Sequence, residues 1–461
     1  MEKLILIIAI FLLTTAIQAQ EINSDEKNSP DNKQYLVKPN GEYSVSYHDF
    51  FWVNGDKKTD LSNNKMYYSC PNNPDPFYNG KNSADFNPNN QTDFCREVVV
   101  RIYYPTNKNN EMGEYYKPLT QANIDAINSL PDAQYPSDTK KILIKELSSI
   151  KSFTVANKNI IKNKTFPVLF FSPGLGGNAE LYENFITHLV SHGYIVVGVN
   201  SLFISGNVSL ENGHIVQSNS KAASTPDKWI QTRGILLKDS EFVYNKIKNS
   251  VSSNNFDNGE RQIFSSINLK KMGIFGHSIG GSFAGDTVLA HPFWFQAAAT
   301  IELGTDVLSN RPTKDVYPIP VLHQAASLTR YVCSHTPNQC FNDPDSFNLN
   351  SNSFLVIHQI DDSQKNMTYS DHMNFSDDST LQYQESLNEL TKLANAHPSS
   401  GWPLNSFLGT ANGWKLTHNI NKYLLKFFDS VLKEGEEYPF GDCSKPLTKN
   451  SKLICGPASG I

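Results

Sequence analysis

The sequence lacks several features that would direct its reading elsewhere. It has no cationic excess: 40 Lys and Arg stand against 45 Asp and Glu, a formal net charge of −5. The basic residues are scattered, so a nucleic-acid surface is not expected. None of the six cysteines lies in a Cys-x-x-Cys motif, which removes the usual signature of a zinc or dithiol redox site. Neither a metal nor a cofactor is expected. No internal repeat is visible. Beyond the first residues no apolar run is long enough to span a bilayer, which takes about 20 residues, so the mature chain is expected to be soluble.

The one long apolar run, Leu4 to Ala16, lies at the start. With charged Met1-Glu2-Lys3 before it and Ile17-Gln18-Ala19 after it, residues 1–19 read as a secretory signal peptide. The expected destination is outside the cytoplasm, extracellular or periplasmic, with an uncleaved or lipidated anchor as the alternative. Six cysteines fit that compartment. They fall as neighbours, Cys70 with Cys95, Cys333 with Cys340 and Cys443 with Cys455, and each pair would staple one loop. The sequence alone leaves 15 connectivities open. Residues 20–40 are polar and lack periodicity, and are expected to be disordered.

Two strands are expected early, Tyr43 to Val53 and Glu97 to Tyr104, rich in Val, Ile and aromatics. Short helices are expected around Ile124, Ile127 and Leu130, and around Leu143, Leu147 and Ile150. The pattern then sharpens. An apolar run, Phe166 to Phe171, meets the turn Ser172-Pro173-Gly174-Leu175-Gly176-Gly177. A helical segment, Leu181 to His192, leads into a second apolar run, Tyr194 to Val199. That is a βαβ unit with buried parallel strands. A helix over Trp229 to Lys248 follows. Beyond it come Lys271 to Phe275 (strand), Ile279 to Ala290 (helix), and the strands Ala297 to Ile301, Ile319 to His323 and Phe354 to Ile360. A last helix covers Ile420 to Leu432. Alternation of this kind implies an α/β fold with a mostly parallel central sheet and helices on both faces.

Gly276-His277-Ser278-Ile279-Gly280 is a GxSxG motif between an apolar strand and a helix of small residues. A nucleophile elbow needs that context, because the serine sits on a strained strand-to-helix turn that flanking glycines allow. Ser278 is the candidate nucleophile. Two backbone N–H groups should form the oxyanion hole, Ile279 after the serine and Leu175 in the earlier glycine turn. The general base should be a later histidine on a loop after a core strand. His358 reads as a strand residue, His418 as part of the last helix and His397 as part of a polar loop, which leaves His372 best placed. The strand Ala297 to Ile301 ends in Glu302, which could orient that histidine and keeps the order Ser, acid, His. Asp306 is the alternative, followed by Asp361 and Asp362.

These segments resemble the platelet-activating factor acetylhydrolase family, plasma and type II, of the α/β-hydrolase fold. The resemblance runs from Val98 to Leu432. It is carried by Val100-Arg101-Ile102-Tyr103-Tyr104-Pro105, Phe170-Phe171-Ser172-Pro173-Gly174-Leu175-Gly176, Leu181-Tyr182, Ser191-His192-Gly193-Tyr194-Ile195-Val196, the elbow with Gly281, and His372-Met373-Asn374-Phe375-Ser376-Asp377. Residues 41–461 are expected to form one α/β-hydrolase domain with loop insertions, since α/β enzymes often use this length in one domain. The resemblance implies that His372 is the base, and that an acid directly follows the strand after the elbow helix, at Glu302. The family usually has aspartate there and histidine where Pro173 stands. The implied activity is hydrolysis of phospholipids with short or oxidised sn-2 acyl chains, a substrate class compatible with peripheral contact at lipid surfaces. A general lipase or cutinase-like polyester hydrolase would use the same groups. A non-catalytic binding module on the same fold is the alternative of another class. No oligomeric state is implied.

Overall fold

The computed structural model describes residues 36–54, 56–60, 65–69, 96–108, 128, 137–206, 208–211, 215–216, 226–252, 258–302, 317–326, 352–358, 375, 377, 380, 412–436, 438–449 and 451–456. Among these residues ten strands form one sheet. Along the chain these are β1 (Ser44–Asn54), β4 (Arg96–Thr106), β5 (Thr154–Ala156), β6 (Phe166–Ser172), β7 (Ile195–Ser201), β10 (Ile267–His277), β11 (Ala297–Ile301), β12 (Val321–Ala326), β13 (Ser353–His358) and β14 (Lys452–Cys455). Two small hairpins stand apart, β2 (Asp56–Asp60) with β3 (Lys65–Ser69) and β8 (Val208–Ser209) with β9 (Ile215–Val216). Across the sheet the order is β14-β13-β12-β11-β10-β6-β7-β4-β1-β5. The six strands from β13 to β7 run parallel, and β14, β4 and β1 join antiparallel.

The central strands are apolar throughout because both faces are covered. Alternate residues of β6 serve opposite cores. Val168 and Phe170 pack with Ile235, Leu236, Val243 and Ile247 of α3 (Pro226–Val251), Ile263 and Phe264 of α4 (Asn258–Ser265), and Phe283 and Val288 of α5 (Ile279–Ala290). Leu169 and Phe171 face Phe185 and Leu189 of α2 (Glu183–Ser191), and Tyr423, Phe427 and Phe428 of α6 (Gly413–Phe428). A further helix, α1 (Ser137–Ser149), precedes β5. This is the expected α/β-hydrolase-type architecture.

Several details differ from the expectation. The segment read as one helix from Leu181 splits into a 3-10 turn, Ala179–Tyr182, and α2. Ile150, expected on the face of α1, lies just past its end and is buried. The last helix begins earlier, at Gly413, and passes into a π-helical turn, Asp429–Glu434, stopped by Gly435 at φ 76°. Expected disorder over residues 20–40 does not extend through Leu36 and Val37. Both are buried, and Val37 N–H donates to Asn184 Oδ1 at 2.7 Å. Cys443 and Cys455 form the expected disulfide, Cα atoms 6.1 Å apart, next to the pairing of β13 with β14. The other four cysteines, residues 1–19 and the helix expected around Ile124 lie outside the described residues. Among the described residues no helix is long and apolar enough to cross a membrane.

Candidate active site

β10 runs into α5 with one residue between them, Ser278, at φ 55° and ψ −122°. A side chain in that region of φ costs on the order of 1–3 kcal/mol, and the surroundings must impose it. Ser278 N–H donates to Ile301 O on the neighbouring strand at 2.9 Å, while Ser278 O accepts from Gly281 and Ser282 N–H. The flanking glycines are required sterically. A Cβ on Gly276 would lie 2.2 Å from Gly280 O, and one on Gly280 would lie 2.1 Å from Ser172 O. Ser278 is partly exposed between buried His277 and Ile279. The sequence motif therefore folds into a strained strand–turn–helix at the carboxyl edge of the parallel strands, where open α/β sheets bind ligands.

The glycine turn after β6 lies against this elbow. A Cβ on Gly174 would meet Ser278 Cβ at 3.4 Å. Nearly every N–H in the turn is already used. Pro173 has none. Gly174 N–H donates to Tyr182 Oη at 3.1 Å, Gly176 N–H to Ile204 O at 2.9 Å, and Gly177 N–H to Gly174 O at 3.0 Å. Of residues 173–177, Leu175 alone keeps an N–H with no acceptor among the described residues. Ile279 N–H, the first of α5, has none there either. Leu175 and Ile279 are the two residues whose N–H groups the sequence motif suggested as donors.

Glu302 follows β11 directly and is buried. It too has positive φ, 45°. Its N–H donates to Gln324 O, and its Oε1 accepts from Ala326 N–H at the end of β12. The carboxylate is thereby turned along the carboxyl edge of the sheet. Among the described residues, five non-glycine residues have positive φ. Two are asparagines, which tolerate it, and the other three are Ser278, Glu302 and Phe203. Phe203 precedes Ile204, whose carbonyl holds Gly176. Backbone strain therefore concentrates around the elbow, the turn and the acid.

His372 lies outside the described residues, as do His397, Asp306, Asp361 and Asp362. The segment just after His372 is anchored. Phe375 is buried against His358, ring centroids 5.6 Å apart. Asp377 Oδ2 and Oδ1 accept from the N–H groups of Glu183 and Asn184 at 2.8 and 2.9 Å, and Asp377 N–H donates to Leu181 O. Asp377 thus caps α2 from a remote part of the chain, a role no local motif reveals. His358 ends β13 as expected. Burial lowers its imidazole to about 3, so it is neutral, and Nε2 meets Gln324 Oε1 at 2.7 Å. His418 is on the exposed face of α6, with Nδ1 at 3.0 Å from Trp414 O. No group of three or more His, Cys, Asp or Glu among the described residues could hold a metal ion.

Residues 70–248 match the family model of platelet-activating factor acetylhydrolase, isoform II. The acetylhydrolase match covers β4, the glycine turn, Tyr182 and most of α3, and ends before the elbow. A solved ferulic acid esterase from Streptomyces cinnamoneus shares the fold, with TM-score 0.57 and 17% identity, over 91% of this chain and 99% of that one. No curated protein matches the sequence.

Proposed function

We propose that the protein is a secreted serine hydrolase of carboxylic esters, acting on phospholipids with short or oxidised sn-2 acyl chains. The observation that carries the reading is Ser278, held at positive φ at the N-terminus of α5 and close against a turn in which one N–H has no acceptor among the described residues. The acetylhydrolase match supports the chemistry, although it does not reach the serine. In the proposed reaction Ser278 Oγ attacks the ester carbonyl carbon, and His372 takes the hydroxyl proton as general base. Leu175 and Ile279 N–H groups donate to the oxyanion that develops on the carbonyl oxygen. Glu302, fixed by Ala326 N–H, keeps the imidazole oriented and offsets its positive charge. Collapse of the tetrahedral intermediate expels the alcohol, lysophospholipid in the preferred case, with the proton returned by His372. Water then releases the acyl group by the same path in reverse.

A general lipase or polyester hydrolase would share every one of these steps, so substrate range is the test. Purified protein is assayed on short-acyl phospholipid, long-acyl phospholipid and a p-nitrophenyl ester, beside Ser278→Ala and Glu302→Gln. The expected order is short-acyl well above long-acyl, with Ser278→Ala down by at least about 10³-fold and Glu302→Gln down by about 10²-fold or more. Equal rates on both phospholipids would favour the lipase reading. Unchanged activity in Glu302→Gln would move the acid to Asp306. Absence of any activity in the unmodified protein would favour a binding module. Secretion is tested by sequencing the N-terminus of protein recovered outside the cytoplasm, with Gln20 expected first.

A further inference from the structure

The geometry points to Tyr182 as a positioning residue that fixes the oxyanion turn against the nucleophile elbow through its phenol oxygen. This assignment rests on the esterase reading above and adds a residue to it. Tyr182 Oη accepts from Gly174 N–H at 3.1 Å and lies 2.8 Å from Nδ1 of His277. Gly174 immediately precedes Leu175, the proposed donor, and His277 immediately precedes Ser278. One oxygen therefore bridges the two backbone segments whose relative position defines the oxyanion hole. When His277 Nδ1 is unprotonated the phenol donates to it, and the phenol oxygen keeps a lone pair for Gly174.

The phenol is held on every side. Its ring is buried, with centroids 4.9 Å from Phe171 and 5.5 Å from His277. At its backbone, Leu181 O, Glu183 N–H and Asn184 N–H are all bonded to Asp377. The turn lies close upon it: a Cβ on Gly174 would come within 3.1 Å of both Tyr182 Oη and His277 Nδ1, and one on Gly177 within 3.4 Å of the same phenol oxygen. Replacing Tyr182 by Phe would leave the buried Gly174 N–H without its partner. A buried donor left so costs about 1–3 kcal/mol, and the glycine turn can relieve that cost by rotating the peptide. Rotation displaces the next N–H, that of Leu175. Donors to an oxyanion must lie within about 2.7–3.1 Å of the charge, and a misplacement of about 1 Å can cost 10²-fold in rate. The loss should therefore fall on the transition state and spare substrate binding.

The test is Tyr182→Phe, with kcat for p-nitrophenyl acetate expressed per site titrated by an aryl phosphonate, whose tetrahedral adduct needs the same hole. The expected result is a fall of about 10- to 100-fold in kcat and in the phosphonylation rate constant, with KM changed less than about twofold. His277→Leu, which removes the other end of the bridge, should give a comparable fall and carries the test if Tyr182→Phe does not fold. The double variant should be no worse than either single one. Wild-type kcat per titrated site in Tyr182→Phe overturns the assignment, as does a double variant in which the two losses multiply. Failure of the esterase reading is separately visible: the unmodified protein would then neither hydrolyse the ester nor take up the phosphonate, and Tyr182 would fall with it.

Discussion

Glu183, the first residue of α2, is a carboxyl group enclosed with almost no exposure. Burial, with the Asp377 and Glu180 carboxylates nearby, raises it from 4.5 to about 8, against the opposing hydrogen bond from Ser152 and the charge of Arg101. The folded protein thus keeps a proton at neutral pH that the unfolded chain has lost. Its contribution favours folding fully below about pH 4.5 and is lost as pH rises through about 8. Glu183→Gln, which keeps an amide oxygen for Ser152, should flatten the decline of Tm between about pH 5 and 8 and raise Tm at about pH 8. Thermal unfolding across that range checks it; identical slopes in both proteins would show that Glu183 is already ionised in the fold. At this scale Ser278 was legible because a five-residue motif states its backbone demands. Positive φ at Glu302 was not, since glutamate does not favour that region and only the packing of β11 beside β12 imposes it. Tyr182 stands in a segment that carries the resemblance, but its bridging role is silent in sequence for the same reason: its phenol's partners come from two other segments.

Among elements, the join between α2 and the segment after His372 matters most. The residue at the N-terminal cap of α2 is Tyr182, whose side chain makes no capping bond. Asp377 supplies both acceptors from 194 residues away, and its neighbour Thr380 accepts from Asn184 Nδ2 at 3.0 Å. A carboxylate there also meets the positive end of the helix dipole. Asp377→Ala should cost about 2 kcal/mol or more in stability, above a typical cap loss of about 1 kcal/mol because two buried N–H groups are exposed as unpaired donors. Denaturant titration measures it, and a loss below about 0.5 kcal/mol would contradict the capping role. If His372 is the base, kcat should fall as well. The βαβ unit and α5 were legible because strands covered on both faces read as unbroken apolar runs and helices as periodic ones. β14 was not, because Lys452–Cys455 is four residues long and takes its meaning only from pairing with β13.

For the whole molecule, the strand order puts the candidate site residues together. β6, β10, β11 and β12 are neighbours, so the turn after β6, Ser278, Glu302 and Ala326 meet along one edge although they are spread over more than 150 residues. Fold class was readable from alternation, whereas the sheet order that brings Glu302 beside the elbow was not; resemblance implied only that an acid follows β11. The far edge of the sheet is tied by Cys443–Cys455, away from that cluster. Its reduction should lower stability by about 2–3 kcal/mol, the usual effect of opening a loop of this size, while leaving the rate per folded molecule unchanged. A parallel loss of activity at temperatures where the protein remains folded would place the disulfide nearer the chemistry than the sheet order does.

The central claim is that Ser278 is the nucleophile, and covalent labelling tests it most directly. Protein treated with an aryl phosphonate and digested should yield one modified peptide, carrying the adduct on Ser278 at one per chain, and Ser278→Ala should take up none and hydrolyse ester at least about 10³-fold more slowly. Adduct on another residue, or ester hydrolysis undiminished in Ser278→Ala, would contradict the account.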